Sequence, residues 1–459
     1  MPSDVERQYP AGHVLYRRLD RPFPRIVRGE GCWLYDAAGR RYLDGSSGAL
    51  VANLGHGNRE LARAVGEQAG RLAYVSGLAF THDPVEELAA ELTALCPEGL
   101  DKALFTCNGG DAVEAALKIA RQFWVESGRP EKRKIVALVP SYHGNTLLAL
   151  SVSARRHYRE IFGDWLVDVV RTPAFYPYRC ACGGGDGACA TCSGAALEEA
   201  LLREDPRTVA AFVAEPVGGA STGASVPGPG YWQRVREICD RHQVLFVADE
   251  VMVGAGRTGT WSALEPYGVA PDFQVYGKGI SGGYAPLSAT VTSRRILDVL
   301  AAGSGAPLHN QTFSQFPVSC AAGLAAIRAL KAHGLIERSA RMGEVLHRHL
   351  AGLRDHPLVG DVRGRGLFAG VELVEDRTTR KPFDRRLRVA ETLADLAQAA
   401  GLVVWPGTGQ ADGTNGDLVL VGPPFIVSED EIAELVRLLR LALDRTRAAI
   451  RARTGAPAG

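Results

Sequence analysis

The sequence predicts an α/β protein in which helices wrap a mainly parallel β-sheet and a smaller α+β unit follows. Three observations support this fold class. The chain has 459 residues, more than one small core organises, so we expect about two or three domains. Between residues 55 and 325, short apolar runs alternate with amphipathic stretches, as in sheets whose crossovers are helices. From residue 326 to the end, a shorter second series of helical and strand-like segments follows.

Composition is that of an ordinary globular protein and excludes several function classes. Hydrophobic residues make up 46% and charged residues 22%, so the chain as a whole is not disordered. The net charge is only +1, so neither nucleic acid nor an anionic membrane surface is expected as a partner. No window approaches the roughly 18 uninterrupted apolar residues of a membrane span. The opening MPSDVERQYP resembles neither a signal nor a transit peptide, so we expect a cytoplasmic protein.

The predicted domains follow in chain order. Residues 1–54 form an N-terminal arm that belongs to the small domain, and GCWLYDAAGRRYLDG within it has the alternation of a β-hairpin. Residues 55–325 form the large domain. Its apolar runs predict strands at 134–139, 209–214, 244–248, 273–276 and 287–292. Its amphipathic stretches predict helices at 111–127 and 231–242.

Residues 326–459 form the predicted C-terminal α+β domain. One long helical stretch at 318–353 leads into it, and DVRGRGLFAGVELV is interpreted as a strand. A helix at 385–400, two strands at 402–404 and 418–421, and a final helix complete the series. Ser428 and Glu431 have capping-box spacing at the start of that helix. The tail after Arg451 is rich in Ala, Gly and Pro and is expected to fray.

A glycine-rich turn leads into the first predicted helix, TCNGGDAVEAALKIAR. Gly109 and Gly110 let the backbone approach a ligand, and Asp111 with Glu114 has the spacing of a helix N-cap. Free amides and the helix dipole attract an anion to such an N-terminus, so this turn is a candidate phosphate site. An ordinary capped turn is the alternative for this motif by itself.

Two further motifs follow predicted strands of the same sheet. LFVADEV runs directly into Asp249 and Glu250, so carboxylates lie at the carboxyl end of a buried strand, where α/β sheets bind ligands. In FQVYGKGISGGYAPLSA, Lys278 follows the next strand between two glycines. A partly desolvated lysine amine is a useful nucleophile. The alternatives are a turn-capping carboxylate and a solvated loop lysine.

Together, the three motifs supply what a pyridoxal phosphate (PLP) site requires. In such sites a lysine holds the aldehyde as a Schiff base, an aspartate keeps the pyridine nitrogen protonated, and backbone amides hold the phosphate. Lys278, Asp249, Gly109 and Gly110 offer these groups. The interval between Asp249 and Lys278 leaves room for a loop and one crossover.

On these residues, the sequence resembles the class III (omega) aminotransferases among the fold-type-I PLP enzymes. The resemblance covers nearly the whole chain, from YLDGSSGALVANLGHGN to GPPFIVSEDEI. The motifs occur in the family's order: NGGDAVEAALKIAR, YHGNTL, AEPVGG, ADEVMVGAGRTG, YGKGISGGYAPLSA and NQTFSQFPVSCAAGLA. The resemblance implies a large domain with a mainly parallel sheet of the seven-stranded type and a smaller α+β domain.

The resemblance also implies how the cofactor is held. Lys278 would carry the Schiff base, and Gly109 and Gly110 would bind the phosphate. Thr312 would reach the phosphate in the neighbouring subunit, so a homodimer is part of the prediction. The family commonly has serine where this chain has Gly110, which removes a hydroxyl contact, and glutamate where it has Asp111.

Around the cofactor ring, the resemblance implies five further roles. Tyr142 would stack on one face of the pyridine with His143 beside it, and Val251 would pack on the other face. Asp249 would pair with the ring nitrogen, and Glu215 would lie near it.

Recognition of a substrate carboxylate departs from the family pattern. Many members carry an arginine ahead of the PPF-type segment, but LVVWPGTGQADGTNGDLVLVGPPF has none and places Trp405 near that position. Arg257, Arg363 and Arg365 are candidates to replace it. The alternatives are a structural role for each arginine, or an acceptor without a carboxylate on that side.

Four cysteines crowd a predicted insertion at residues 176–194, and they are Cys180, Cys182, Cys189 and Cys192. Four thiols at C-x-C-x6-C-x2-C spacing in a glycine-rich loop can close on a tetrahedral ion, so we predict structural zinc or an iron–sulfur cluster. Free or redox-paired thiols are the alternative. We expect the cluster to order an insertion near the active-site entrance without taking part in the chemistry.

The predicted reaction is a ping-pong transamination between a small amine or amino acid donor and a keto acid, ketone or aldehyde acceptor. Lys278 would move the proton as general acid–base, and Asp249 would keep the ring nitrogen protonated. PLP-dependent decarboxylation and amino-group migration occur on the same fold and stay open as alternatives. A non-catalytic PLP- or metal-binding protein and a metal-centred redox protein are further alternatives.

Overall fold

The structure, a computed structural model, describes residues 6–7, 12–183 and 189–455. The strands are β1 Glu6–Arg7, β2 Phe23–Pro24, β3 Ile26–Glu30, β4 Trp33–Asp36, β5 Arg41–Asp44, β6 Lys102–Thr106, β7 Lys134–Val139, β8 Val170–Pro173, β9 Val209–Ala214, β10 Leu245–Asp249, β11 Phe273–Tyr276, β12 Ser288–Thr292, β13 Val359–Arg365, β14 Phe368–Leu373, β15 Leu402–Val403, β16 Trp405–Thr408 and β17 Asp417–Val421. The helices are α1 Ser47–Leu50, α2 Arg59–Arg71, α3 Asp83–Thr93, α4 Gly109–Glu126, α5 Leu147–Val152, α6 Arg156–Phe162, α7 Ala190–Ser193, α8 Ala196–Glu204, α9 Tyr231–Arg241, α10 Arg294–Ala302, α11 Pro317–Ala332, α12 Leu335–Ala351, α13 Val389–Ala400 and α14 Glu429–Thr454.

A seven-stranded sheet in the order β6-β12-β11-β10-β9-β7-β8 organises the large part of the chain. Only β12 runs against its neighbours, so the predicted mainly parallel sheet is confirmed. Because β10 and β11 are parallel neighbours, with Asp249 opposite Val275, the motifs that follow them meet at one edge. That edge carries the candidate site.

Helix α4 is the central helix on one face of this sheet. The apolar side of this helix, predicted from its amphipathic pattern, is buried and consists of Val113, Ala116, Leu117, Ala120, Phe123 and Trp124. Trp124 Nε1 donates to the carbonyl of Ala210 at 2.9 Å, which ties the helix to β9. The expected cap at Asp111 is wrong, because the Asn108 side chain accepts from the Asp111 N–H at 3.1 Å and begins the helix earlier.

Most predicted strands of the large sheet agree with the structure. Those at 134–139, 209–214 and 273–276 match β7, β9 and β11. Strand β12 begins one residue later than predicted, and β10 is shifted by one residue at both ends. The predictions omitted β6 and β8 of this sheet and β16 of the C-terminal sheet. Strands β8 and β16 contain proline, which local patterns assign to turns, and they form because neighbouring strands supply the pairing.

Two segments of the C-terminal part differ from the predictions. The helical stretch at 318–353 is two helices, because Gly334 adopts a left-handed φ of +56° between α11 and α12. DVRGRGLFAGVELV forms the antiparallel hairpin β13–β14 and is not a single strand. Gly366, also at φ +56°, makes its turn.

The final helix begins as predicted. Ser428 Oγ accepts from the Glu431 N–H at 3.2 Å, and the Glu431 carboxylate accepts from the Ser428 N–H at 2.9 Å, which completes the capping box. Helix α14 runs to Thr454, so order extends past the point at which fraying was expected. Residues 456–459 lie outside the described residues.

The N-terminal segment contains the expected hairpin, formed by β4 and β5. Strand β5 also pairs in parallel with β15, with Leu43 opposite Leu402, which joins the start of the chain to its C-terminal part. The exact domain boundaries stay a prediction. Within the described residues, no helix combines the length and apolar character needed to cross a membrane.

Candidate active site

A cavity of about 330 Å³ opens at the carboxyl edge of the large sheet. Eight of the nine predicted cofactor residues line it, namely Gly109, Gly110, Tyr142, His143, Glu215, Asp249, Val251 and Lys278. The ninth, Thr312, is exposed and lines a different cavity on the surface. The structure therefore brings together in one chain every predicted residue except the one expected to act on a neighbouring subunit.

Lys278 lies just beyond the end of β11. Its backbone has φ +46°, an uncommon conformation for a residue with a side chain. A Cβ on the preceding Gly277 would come within 3.1 Å of Val251 Cγ1, so glycine allows this close passage. Burial lowers the pKa of the Lys278 amine, while the charges of Asp249 and Glu215 act in the opposite direction. The amine is therefore more readily deprotonated than a surface lysine, as a nucleophile requires.

Asp249 and His143 form a buried pair beside this amine. His143 Nδ1 lies 2.7 Å from Asp249 Oδ2, and Asp249 Oδ1 accepts from the Val251 N–H at 3.0 Å. The His143 side chain is fully buried, and its backbone N–H donates to Ser153 Oγ at 2.8 Å. These contacts hold the carboxylate in one orientation at the end of β10.

Glu215 is a second buried carboxyl group at the cavity. One oxygen accepts from the Gly219 N–H at 3.1 Å and the other from the Tyr142 N–H at 3.3 Å. Burial raises the pKa of Glu215, and the negative charge of nearby Asp249 adds to the effect. Glu215 therefore connects the AEPVGG turn to the segment that carries Tyr142.

The start of α4 forms the opposite end of the cavity. The first N–H groups of a helix have no partner within the helix. Because the Asn108 side chain caps Asp111, the amides of Gly109 and Gly110 remain for a ligand. A Cβ on Gly109 would lie 2.7 Å from Val251 Cγ1, so the backbone at Gly109 lies too close to Val251 for any side chain to fit.

The residues present fit pyridoxal phosphate. The glycine turn is a cradle that a side chain would fill, and a helix N-terminus suits a phosphate. Two buried polar atoms, Thr146 Oγ1 and His143 Nε2, have no hydrogen-bond partner among the described residues. His143 lines the cavity, and Thr146 Oγ1 would lie 3.6 Å from a Cβ on Gly110. A deprotonatable lysine lies beside a buried carboxylate, which is the pair that an aldehyde and a pyridine nitrogen need.

The three arginines predicted as candidates for binding a substrate carboxylate make contacts within the protein instead. Arg257 Nη1 donates to two main-chain carbonyl oxygens, at 3.0 and 2.6 Å. Arg363 pairs with Glu372 at 2.8 Å, and the Arg365 guanidinium lies 5.8 Å from the Tyr267 ring centroid. None of them lines the cavity. Their partners come from distant parts of the chain, which sequence spacing does not reveal.

Sequence reasoning missed Arg155, whose guanidinium lies 4.9 Å from the centroid of the Tyr142 ring in the cavity. The adjacent pair Arg155-Arg156 was the feature of the sequence that could have indicated it. Of these two arginines, only Arg155 lines the cavity, and Arg156 is the first residue of helix α6. Trp405 lines the cavity as its position in the sequence suggested, with Arg17 over its ring at 5.6 Å.

The four clustered cysteines converge in space. Their Sγ atoms all lie within 4.8 Å of one another, and the four closest pairs are 3.1 to 3.5 Å apart. Residues 184–188 of this loop lie outside the described residues. None of the described residues of the insertion lines the Lys278 cavity, and its expected place near the active-site entrance stays a prediction. The start of the insertion contacts β14, because Tyr176 and Arg179 both donate to Glu372 at 2.6 Å.

Comparison with known proteins agrees with this geometry. Residues 16–443 match the family Aminotransferase class-III. The chain is 39% identical over 444 residues to an uncharacterized aminotransferase of Schizosaccharomyces pombe, covering 95% of this chain and 96% of that protein. It is 37% identical to the taurine–pyruvate aminotransferase of Rhodobacter capsulatus, covering 94% of each chain. A PLP-bound amine transaminase from an uncultivated Pseudomonas species superimposes with a TM-score of 0.88 at 34% identity, covering 95% of this chain and 98% of that one.

The chain belongs to the class III aminotransferase family. Its architecture is that of the fold-type-I PLP transaminases, with a mostly parallel seven-stranded sheet and smaller sheets beside it. The protein is an enzyme of PLP-dependent amino transfer.

Proposed function

We propose that the enzyme transfers an amino group between a small amine or amino acid and a keto acid, with Lys278 and Asp249 as its catalytic residues. The observation that carries this proposal is the convergence of the lowered-pKa amine of Lys278 with two buried carboxyl groups in one cavity. Pyridoxal phosphate, when bound, supplies an electrophilic carbonyl and an electron-withdrawing ring.

Lys278 would hold the cofactor covalently at rest. Its amine, once freed, would act as the general acid–base that takes up and returns the substrate's proton. A lysine whose pKa is lowered by burial spends more time as the free base that takes this proton. The left-handed backbone at 278 directs the residue out of the strand and into the cavity.

Asp249 keeps the ring nitrogen protonated, and His143 orients it. The 2.7 Å contact from Nδ1 holds one carboxylate oxygen, and the Val251 N–H holds the other. Tyr142 and Val251 would cover the two faces of the ring, with Glu215 near them. Gly109 and Gly110 would bind the phosphate with their amides.

We propose pyruvate as an acceptor. The Rhodobacter relative, which is 37% identical to this chain, is a taurine–pyruvate aminotransferase. A cavity of about 330 Å³ is at the small end for ligand sites, which suits a short keto acid beside the cofactor.

Borohydride reduction tests the assignment of Lys278. Reduction of the PLP-loaded enzyme followed by peptide mapping should place the pyridoxyl group on Lys278. Lys278→Ala should lower kcat by at least about 1,000-fold while some cofactor still binds. Lys118→Ala, an exposed lysine of α4, is the matched control and should leave turnover unchanged. Retained activity in Lys278→Ala, or labelling of another lysine, contradicts the proposal.

We propose that the four-cysteine cluster holds a metal, as structural zinc in preference to an iron–sulfur cluster. A tetrahedral zinc thiolate site needs sulfur atoms about 3.8 Å apart, close to the spacings in this loop. The compact arrangement suits one small ion at its centre. The metal would order the turn that carries Arg179 and hold it against Glu372 of β14.

Metal analysis tests this second proposal. Purified enzyme should contain about one zinc per chain, and Cys192→Ser should lose the metal and unfold several degrees lower. Cys96→Ser, which changes a cysteine outside the cluster, should keep both the metal and the melting temperature. Less than stoichiometric zinc together with iron and visible charge-transfer bands favours the iron–sulfur alternative. Absence of both metals contradicts the proposal.

We also propose a homodimer in which Thr312 contacts the neighbouring active site. The Thr312 segment is exposed and lines a surface cavity with apolar neighbours Tyr74 and Leu78. Such exposed apolar surface is typical of an interface between subunits.

We propose a cytoplasmic location for the enzyme. None of the nine cysteines, all of which lie in the described residues, is in a disulfide, as expected for a reducing compartment. Cell fractionation should recover the enzyme with cytosolic markers, and recovery in an exported or membrane fraction contradicts this location.

A further inference from the structure

Arg155 is a cation of the cavity that pairs with no carboxylate among the described residues. The negative charge of Glu215 acts on it without an ion-pair contact, and its Nε atom is buried without a hydrogen-bond partner. The guanidinium lies 4.9 Å from the centroid of the Tyr142 ring. A buried guanidinium left unpaired is costly, so the site favours the arrival of an anion.

The neighbours of Arg155 leave space for such an anion. Tyr142 and Trp405 provide apolar walls of the cavity, and Tyr158 provides a hydroxyl-bearing ring. Arg17 lines the same cavity and adds a second positive charge. The two carboxyl groups of the cavity are already engaged, since Glu215 accepts from main-chain amides and Asp249 is held by His143.

Arg257 and Arg363 are not available to bind a substrate carboxylate, because each already has partners in the protein. Arg257 donates to carbonyl oxygens, and Arg363 is paired with Glu372. The segment ahead of PPF contains no arginine, and Trp405 occupies its place at the cavity. Arg155 is therefore the lining cation best placed to meet a negatively charged substrate group.

We infer that Arg155 binds the carboxylate of the keto acid acceptor and of the amino acid formed from it, with Arg17 assisting at the rim. The inference rests on the proposed function. A guanidinium donates two parallel N–H groups to a carboxylate, which fixes the orientation of a short acid. The acceptor's carbonyl carbon would thereby be presented toward Lys278. Arg155 is in this role a specificity-determining residue.

Substitution of Arg155 by methionine tests the inference because it removes the charge and keeps most of the length. The KM for pyruvate and the dissociation constant of propionate, measured by calorimetry on the PLP-loaded enzyme, should both rise about 10- to 100-fold. The KM for butanal, an acceptor without a carboxylate, should stay within about twofold. Arg155→Lys should recover part of the propionate affinity. Arg156→Met is the matched control, since Arg156 is exposed and pairs with Glu160 on α6.

Two results would overturn the inference, and neither resembles failure of the proposed function. An equal rise in the KM for pyruvate and butanal would mean that Arg155 supports the site in general. A higher dissociation constant for PLP, with unchanged propionate affinity in the loaded enzyme, would show that Arg155 binds the cofactor and not the substrate carboxylate. Failure of the proposed function is distinct, because amino transfer to butanal would then be absent in the unsubstituted enzyme.

Discussion

At the scale of single residues, the candidate site depends on buried charges that compensate one another. Lys278 lies near the carboxyl groups of Asp249 and Glu215, and His143 holds Asp249 at 2.7 Å. Removing one member leaves the others uncompensated, which costs more than the lost contact itself. Glycines allow the backbone to approach these side chains closely. A Cβ on Gly109, for example, would lie only 2.7 Å from Val251 Cγ1.

Thr146 offers a replacement for the family's serine hydroxyl that Gly110 lacks. A Cβ on Gly110 would lie 3.6 Å from Thr146 Oγ1, and that hydroxyl is buried without a partner. Thr146 precedes α5 but makes no side-chain cap with it. Its hydroxyl is therefore free to bind the cofactor phosphate.

Thr146→Val should raise the dissociation constant of PLP about 10-fold, because one hydrogen bond to a charged group is lost. Titration of the apoenzyme with PLP, followed by absorbance, measures this change. Thr146→Ser is the matched control and should bind PLP almost as the unsubstituted enzyme does. Equal PLP affinity in Thr146→Val and the unsubstituted enzyme would show that this hydroxyl does not bind the cofactor phosphate.

At the scale of elements, Glu250 joins the end of β10 to the loop that follows it. Its carboxyl group accepts from Ser262 Oγ at 2.6 Å and from the Ala263 N–H at 3.0 Å. Burial raises the pKa of Glu250 to about 7, although these hydrogen bonds act in the opposite direction. Because the ordinary value is 4.5, the native state keeps this proton at a pH where the unfolded chain has lost it.

Glu250 therefore gives the native state a pH-dependent stability. Its contribution is fully present below pH 4.5 and is lost as the pH rises through about 7. Between these limits, the free energy of unfolding of the unsubstituted enzyme relative to Glu250→Gln should fall by about 3 kcal/mol. Urea unfolding of both proteins at several pH values measures this difference. The exposed Glu237→Gln is the control, and the same difference for it should not change with pH.

A pH-independent difference for Glu250→Gln would show that Glu250 titrates alike in the folded and unfolded chains. The hydrogen bonds from Ser262 and Ala263 would then fully offset the effect of burial on its pKa.

At the scale of the whole molecule, the described surface carries an apolar patch around the predicted Thr312 contact. The side chains of Leu78, Phe80 and Leu308 are 89%, 66% and 68% exposed. Tyr74 and Phe313 pack edge to face at 6.2 Å within the same region. Apolar side chains this exposed and this close together are typical of a subunit interface.

Leu78→Asp should convert the dimer to a monomer, because a carboxylate at the interface would be desolvated. Light scattering after size-exclusion chromatography should show the mass fall from two chains to one, with weaker retention of PLP. Leu202→Asp changes a leucine that is 62% exposed on α8 and should leave the mass at two chains. A monomeric unsubstituted enzyme, or a dimeric Leu78→Asp, contradicts the proposed interface.

Strand positions and the main cofactor residues were accessible from the sequence because their signals are local. Mainly apolar runs at 134–139 and 209–214 predict strands of a parallel sheet, and the structure confirms both. Strand β9 is buried along its whole length, and β7 is buried at residues 136–138. The carboxyl ends of parallel strands share an edge, so Asp249 and Lys278 were expected to meet, and they do. Strand β16 was inaccessible because Trp405–Thr408 contains proline and glycine and is extended only through pairing with β17.

The sequence by itself determined the α/β class and the PLP chemistry and predicted the identity of the lysine, since each depends on neighbouring residues or on a motif. The tertiary structure alone decided which arginine lines the cavity. Arg257 finds its acceptor at Pro423, and Arg363 finds Glu372, whereas Arg155 lines the cavity and forms no ion pair with any described residue. The physical reason is that a charged side chain takes its role from the groups that desolvate and pair it, and folding brings those groups from distant positions in the chain.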